Sequence, residues 1–578
     1  MRVNCALIAL SVVAAVGCGD SSAPIYPYPS VPRLVIVSGD LRSVEVGTAH
    51  RLTGKLLDER GAPVLNHVVA FRGDDGRADS VLTDANGIAS IAWILPHDAR
   101  EYRIEGWAFF GSTRPAGATW RVPVVAGPPR SLTSIHDVNA VVAPETELDT
   151  LTVRVTDRYG NPVGDVAVSW SFVGDGSFNP LQTRTNAVGR ANALWTVGER
   201  VGRSLVEVKA GDSLAVQFTA TVSTPFSASF VSAGDDHSCA IDVAGAAYCW
   251  GANDFGQLGI GTVDGARRNP VKAAGGLTFV SLAVGHAFTC GLITTGEAFC
   301  WGANDVAQLG TGLSGISSSM PVRVAGGRAF TALAAGRRHA CGLTSGGEVY
   351  CWGENTVGQS GTGSPGVHGL PLIVRTTERF TAISAGDDFT CALSEFGEAF
   401  CWGNDARRQL GGGPARCIVG TAWDEYEGEH PAFGPCSDVP VRVATPSNLV
   451  SLVSGPSSSC AVTAAEWVAC WGDGLTNPIA LEELSGERTV AIGMGIVCGL
   501  DTGGALLCSG FSAQAAASVA NQPWSFASLT GSASHLCAVS RDARPILYCW
   551  GSNDFGQLGD GTSRRRPFPV AVVSLPDP

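Results

Sequence analysis

Ala233-Gly-Asp-Asp-His-Ser-Cys239 followed by Tyr248-Cys-Trp-Gly-Ala-Asn-Asp-Phe-Gly-Gln-Leu-Gly259 decides the fold, because the pattern recurs down the C-terminal half of the chain. Its cysteines come in pairs at 239/249, 290/300, 341/351, 391/401, 460/470, 498/508 and 537/549. Each pair joins a short apolar segment, through a Gly-bearing turn, to a second segment that typically reads aromatic-Cys-Trp-Gly. Two antiparallel strands with a turn between them place such cysteines opposite each other, within the roughly 4.4–6.8 Å Cα separation a disulfide spans. The spacing therefore predicts seven cross-strand bridges, Cys239–Cys249, Cys290–Cys300, Cys341–Cys351, Cys391–Cys401, Cys460–Cys470, Cys498–Cys508 and Cys537–Cys549. An eighth, Cys417–Cys436, falls in one insertion, and Cys5 and Cys18 complete the 18 cysteines. None is left over, which favours structural bridges in an oxidising compartment over reactive thiols. A zinc site would need C-x₂₋₄-C spacing with His partners, and neither occurs.

The longer consensus is A-G-x-x-H-x-C, then Y/F-C-W-G-x-N-D-x-x-Q-L-G-x-G, then P-V-x-V, recurring at Trp301, Trp352, Trp402 and Trp550. It resembles the regulator-of-chromosome-condensation repeat, over residues 226–575. The resemblance implies a seven-bladed β-propeller of about fifty residues per blade, a closed ring with only short strand edges. Eukaryotic members of that family include a nucleotide exchange factor for a small nuclear GTPase. That activity needs a cytosolic partner, whereas cysteine pairs suit an exported chain, so guanine-nucleotide exchange is the weaker transfer. The family also includes a secreted bacterial propeller that inhibits β-lactamases by protein contact.

Upstream, a different repeat appears. Asp58-Glu-Arg-Gly61-Ala-Pro63-Val64 matches Asp157-Arg-Tyr-Gly160-Asn-Pro162-Val163, and Trp93 matches Trp195. Flanking segments such as Leu151-Thr-Val-Arg-Val-Thr156 alternate with period two, as half-buried strands do. These units resemble bacterial immunoglobulin-like domains of the invasin and intimin type, with cores held by packing alone. Such modules serve as spacers. Asp74, Asp75 and Asp84 are carboxylates a calcium ion could use, but solvated turns explain them with fewer demands than six to eight oxygen ligands.

The first eighteen residues carry Arg2 and then an apolar run from Ala6 to Val16, interrupted only by Ser11. The run is too short to span a bilayer, which needs about 20 residues, and suits a signal peptide. Its ending, Ala15-Val16-Gly17-Cys18, resembles the bacterial lipoprotein signal, which implies lipidation at Cys18; an ordinary signal peptide with an incidental cysteine is the alternative. Gly19 after the cysteine lacks the inner-membrane retention Asp. Residues 19–32, rich in Ser and Pro, read as a tether.

At 578 residues the chain is long enough for about four domains. Charged residues are 16 % of the chain and the net charge is −13, with Lys55, Lys209 and Lys272 the only lysines. No basic face offers itself to nucleic acid. His237, His339 and His535 share a repeat column with Phe288, Phe389, Ser458 and Ile496, which marks a packing position rather than a catalytic one. The pairs Asp235-Asp236 and Asp387-Asp388 share their slot with Arg337-Arg338 and read as solvated loop positions. No G-x-S-x-G, H-E-x-x-H or phosphate-cradling G-x-x-x-x-G-K-[ST] motif occurs.

First cysteines are spaced 51, 51, 50, 69, 38 and 39 residues apart, so the ring is regular for three steps and then irregular. The fourth unit gains roughly Gly412 to Ser437, while the fifth and sixth lack the N-D-x-x-Q-L-G loop. A scaffold repeats with its blades and a recognition site need not. The candidate binding residues are therefore Trp423, Asp424, Glu425, Tyr426, Glu427 and Phe433, an aromatic and acidic loop suited to a basic partner. The competing reading packs those aromatics back on the ring.

The expectation is an all-β chain: signal peptide 1–17, lipidated tether 18–32, immunoglobulin-like domains 33–127 and 128–224, and propeller 225–578. Function is expected to be binding of a protein or glycan by a monomeric outer-membrane lipoprotein facing periplasm or exterior. The membrane is met only through lipid, no cofactor is involved and no residue is catalytic. A hydrolase or lyase sited in the propeller funnel is the alternative.

Overall fold

A computed structural model describes residues 32–38, 43–110, 116–135, 139–173, 175–181, 183–412, 416–424, 428–445, 448–481, 484, 486–510 and 524–575. Every regular element longer than a turn is a β-strand among these residues, and the fold is all-β. Residues divide into two compact units: Met1–Ser131 with Val155–Val166 and Asn186–Gly189, and the remainder. Cys18 and the whole signal region lie outside the described residues.

In the first unit, strands Arg33–Ser38, Ala49–Leu57 and Ile88–Ile94 form one sheet. Val44–Glu45, Ala116–Val125, Glu101–Ala108, Val68–Gly73 and Ala78–Leu82 form the other, in that spatial order. Alternate residues turn inward, so Leu52, Leu56, Phe71, Trp93, Tyr102 and Trp120 build a single core between the sheets. The D-x-x-G-x-P segment is a turn with a clear cause. Asp58 Oδ1 accepts the backbone N–H of Arg60 and of Ala62, both at 2.8 Å, and Gly61 takes the left-handed conformation at φ 81°. Asp157 and Gly160 repeat the device. Asp84 accepts N–H bonds from Asn86 and Ile88, while Asp74 and Asp75 pair with Arg100 and Arg77, so these carboxylates are committed to turns and ion pairs.

In the second unit, the propeller blades are antiparallel sheets read outward from the ring axis. Blade 1 is Phe230–Ala233, His237–Ile241, Ala247–Gly251 and Arg267–Lys272. Blades 2, 3, 5 and 7 repeat it with inner strands Phe279–Val284, Ala332–Ala335, Leu449–Ser454 and Phe526–Gly531. Blade 4 carries a fifth strand. Blade 6 is described through its first three strands, Thr489–Gly493, Ile496–Leu500 and Leu506–Gly510, with 511–523 outside the described residues. Ring closure uses the segment entering blade 1: Phe226 N–H donates to Val572 O at 2.7 Å, and Leu547 N–H donates to Phe226 O at 3.0 Å. The second sandwich, with sheets ordered Asn139–Val142, Leu214–Val222, Gly202–Ala210, Val168–Val173 and Gly176–Leu181, Arg190–Val197, Leu151–Thr156, Ser131–Ser134, meets the propeller through Asn269 Nδ2 on Val141 O, 2.8 Å, and Ser563 Oγ on Asp149, 2.9 Å.

Each cysteine pair sits in direct register between the second and third strands, as Cys239 opposite Cys249 does. The seven blade bridges have Cα–Cα distances of 4.0–4.1 Å, the close spacing of a non-hydrogen-bonded strand pair. Cys417 and Cys436 are joined at 5.2 Å.

The N-D-x-x-Q-L-G motif works between blades. Asn253 Oδ1 accepts Leu258 N–H, and Gln257 Oε1 accepts Phe255 N–H, which closes the loop on itself. That aims the Gln257 carbonyl at blade 2, where it accepts both Trp301 Nε1–H, 2.9 Å, and Thr289 Oγ1–H, 3.0 Å. Gln557 and Gln308 serve Trp250 and Trp352 in the same way. Gly259 stands at φ 71°, and a Cβ there would lie 2.7 Å from Trp301 Nε1, so the motif's last glycine is set by the approach of the next blade's tryptophan.

Candidate functional site: the mouth of the central channel

The turn after the first strand of a blade and the loop between its third and fourth strands emerge on one face, because the strands are antiparallel. That face carries the A-G-x-x-H turns around the channel axis and, farther out, the blade 4 insertion. Behind each turn is the histidine column. His237, His339 and His535 are fully buried. His237 Nε2 lies 2.8 Å from Thr289 Oγ1, His339 Nε2 lies 2.8 Å from Thr390 Oγ1, and His535 Nε2 lies 2.6 Å from Ser238 Oγ. Each hydroxyl donates onward to a glutamine carbonyl, of Gln257, Gln359 or Gln557. A hydroxyl has one proton, so the imidazole must donate from Nε2 and leave Nδ1 as an acceptor. Burial pushes the His237 ring down to about 3 and His339 and His535 to about 4, so all three are neutral. The column packs, but it also bonds each blade to the next wherever the following blade supplies a hydroxyl, a pairing visible in sequence only once blade adjacency is known.

In front of the histidines, the slot two residues earlier holds Asp235, His286, Arg337, Asp387, Pro456, Met494 and Ala533 in blades 1 to 7. The solvated-loop reading holds for the exposed Arg337 and is corrected for Asp235 and Asp387: these turns line the mouth of a cavity of about 220 Å³ on the ring axis, and Asp235 and Asp387 are only partly exposed. The cause is tertiary, since a turn that would be open on a lone hairpin faces six others in a closed ring. Charge is confined to four consecutive blades. Asp235 Oδ2 receives a 2.7 Å hydrogen bond from His286 Nδ1. Burial pushes the Asp235 carboxyl up, but the hydrogen bond and charge of His286 bring it below the ordinary range, and Asp235 in turn raises His286. Asp387 is pushed up to about 7, first by burial and then by the charges of Asp235 and Asp388, with Arg337 opposing. Asp388 and Asp236 are raised by burial, Asp236 also by Asp235. Arg338 is engaged by Asp305 and Glu354.

The sign of the resulting pH dependence is definite. The folded-state value of Asp387 lies above its unfolded value near 3.9, so its contribution is present at low pH and is lost as pH rises from about 4 through 7. The three histidines, depressed from 6.5, act oppositely and lose stability as pH falls from about 6.5 through 4. Asp387→Asn isolates the first effect. The variant is expected to exceed the parent in stability at pH 8 by on the order of 2 kcal/mol, after allowance for solvent screening. The gain should vanish below pH 5, as read by thermal melting across that range.

The insertion on the same face is a hairpin, Arg416–Asp424 against Gly428–Arg442, continuous with the outer strand of blade 4. Its cysteines are buried at the base, and beyond them Ile418 is 40 % and Phe433 59 % exposed. Phe433 thus does not pack back on the ring. Trp423 stands opposite Glu429 and Asp424 opposite Gly428 in backbone register at the tip, while Glu425, Tyr426 and Glu427 lie outside the described residues.

A disulfide-stapled propeller preceded by immunoglobulin-like sandwiches defines the class. The comparisons agree: the chain carries Regulator of chromosome condensation (RCC1) repeats, matched at residues 244–292, 295–343, 346–393 and 546–577, and by a second model of the repeat at 229–257, 330–359, 380–409 and 526–557. It also carries a Bacterial Ig-like domain (group 1) at 131–226. It is similar to the E3 ubiquitin-protein ligase HERC2 of Homo sapiens, 31 % identical over 147 residues, 25 % of this chain and 3 % of the relative. It is also similar to the ultraviolet-B receptor UVR8 of Arabidopsis thaliana, 29 % identical over 266 residues, 44 % of this chain and 54 % of the relative. The chain thus spans 3 % of the one and about half of the other. Among solved structures, Prp20p of Saccharomyces cerevisiae aligns with TM-score 0.47 and 21 % identity, covering 58 % of this chain and 87 % of that one. A bacterial Ig-like domain together with many disulfides is the combination of an extracellular or envelope protein.

Proposed function

We propose that this protein is a cell-envelope lipoprotein, anchored through Cys18, whose propeller binds a protein partner and is held off the membrane by two immunoglobulin-like spacers, 33–127 and 128–224. In this reading the eight disulfides form on export, and the molecule works as a non-catalytic binding module. The observation that carries it is the Cys417–Cys436 hairpin: a bridged, buried base under an exposed apolar flank, present on one blade among the described ones. Evenly repeated blades need no such addition for stability. The acidic loop Asp424-Glu425-Tyr426-Glu427 suits a basic partner surface.

Deleting 418–435 is expected to abolish partner capture from envelope extract while shifting the melting temperature of the ring little, since a surface hairpin empties no blade core. Trp423→Ala should weaken capture by about 2 kcal/mol if that ring is an anchor. Retained capture after the deletion, or an unfolded ring, removes the reading. Arg337 lies at the channel mouth and is unsuitable as a silent control; Arg323, on an outer strand, is the appropriate one.

A second reading, a hydrolase or lyase in the funnel, draws on Asp235 and Asp387, whose environments push two carboxyls apart in protonation. Turnover of a glycan substrate that Asp387→Asn removes would favour it.

A further inference from the structure

Blade 6 departs from its neighbours in what fills it and in what holds it. In blades 2, 3, 4 and 7 a phenylalanine at the start of the inner strand packs against the tryptophan that follows the third-strand cysteine. These pairs are Phe279 with Trp301, Phe330 with Trp352, Phe380 with Trp402 and Phe526 with Trp550, ring centroids 5.7–6.4 Å apart. Glu487 and Ser509 hold the two positions in blade 6. The match is spatial as well as sequential. A Cβ on Gly291 would lie 2.5 Å from the Phe279 ring and one on Gly342 2.5 Å from the Phe330 ring, while one on Gly499 would lie 2.6 Å from Glu487 Cγ. Glu487 is only 5 % exposed, and its Oε2 is completely buried without a hydrogen-bond partner. A neutral carboxyl tolerates such a site far better than a carboxylate does. Among the described residues no ion pair relieves it: Arg488 is taken by Glu466 at 2.7 Å, Arg541 donates to Thr502 O, and the nearby Asp501 repels a negative charge.

The seams on either side of the blade are bare as well. Between blades 1 and 2 there are two polar ties, His237 to Thr289 and the Gln257 carbonyl to Trp301. The residues in the histidine and hydroxyl positions are Ser458 and Val497 between blades 5 and 6, and Ile496 and Leu536 between blades 6 and 7. Blades 5 and 6 also lack the loop that supplies the glutamine carbonyl. Within blade 6 the Cys498–Cys508 bridge ties the second strand to the third, which leaves the inner strand, Thr489–Gly493, as the one free to part. We propose that blade 6 is a proton-dependent seam in the ring: with the Glu487 carboxyl neutral the inner strand stays closed against its neighbours, and on ionisation that strand opens locally while the other blades hold. Burial, and then the charge of Asp501, push Glu487 from 4.5 up to about 7. A folded-state value above the unfolded one gives stability that is complete at low pH and is lost as pH rises from about 4.5 through about 7. Asp387 has the same sign but belongs to blade 4, so the two are told apart blade by blade.

The test is hydrogen exchange on the full, oxidised chain at pH 6 and pH 8, read by mass spectrometry as protection factors, which removes the intrinsic pH dependence of exchange. Opening of Thr489–Gly493 is expected to rise about tenfold between the two pH values, with the inner strands Phe279–Val284 and Ala332–Ala335 unchanged. Glu487→Gln should hold the pH 6 protection at pH 8, and so should Glu487→Leu, which copies Leu449 of blade 5. Asp387→Asn should leave the step in place. The proposal is overturned if protection of 489–493 in the parent is equal at both pH values, if the step persists in a folded Gln or Leu variant, or if the inner strands of all blades lose protection together.

Discussion

Reducing the seven blade disulfides is expected to unfold the propeller while leaving the first sandwich folded. Each bridge closes a loop of ten or twelve residues in sequence separation. In the chain-entropy account a loop of that size contributes about 2–3 kcal/mol by restricting the unfolded chain. Seven such contributions, about 14–21 kcal/mol together, match or exceed the roughly 5–15 kcal/mol net stability of an ordinary domain, so their joint loss is expected to unfold the ring. The first unit has no cysteine among its described residues, and its core of Trp93, Trp120, Tyr102 and Phe71 is indifferent to reductant. Because the sulfurs are buried, reductant should act only with mild denaturant present. The expected record is two melting transitions, of which reductant moves only the propeller's. Free thiols among Cys239 to Cys549 in the purified exported chain, or a single transition unmoved by reduction, would refute the pairing.

Gly386→Ala is expected to cost about 3 kcal/mol or more, at the upper end for overpacking a rigid interior. A methyl group there would lie 2.0 Å from Phe389 Cε1 and 2.5 Å from Gly455 O of the next blade. Neither can retreat: Phe389 is fully buried, and the carbonyl belongs to the wall of the adjoining blade. Gly285 repeats the geometry against Phe288 and Gly336 O, so this rung of glycines sets how closely the inner strands approach. Gly346→Ala supplies the comparison, since its nearest neighbour would be Thr344 Oγ1 at 3.9 Å. Thermal melting of both variants decides the matter, and equal stability would show that the rung tolerates a side chain.

The sequence by itself determined the local devices and their number. Cysteines ten apart around a turn oppose each other in a hairpin, Asp-x-x-Gly-x-Pro turns, and seven recurrences of one hairpin carry the family resemblance that implies a closed ring. Even the irregular blade was legible, because a pair of extra cysteines and a length change interrupt a period. What only the tertiary structure decided is what stands next to what. Asp235, His286, Arg337 and Asp387 are about fifty residues apart and look like ordinary turn residues one at a time. Ring closure faces them across a narrow opening, where burial and mutual charge shift the titration of Asp235, His286 and Asp387. In sequence the histidine column looks like packing because Phe and Ile share it, yet its role depends on a hydroxyl one blade away, at Thr289, Thr390 or Ser238. A repeat pattern specifies each blade's interior, but the potential at the axis is a sum over all seven blades, and no single repeat contains it.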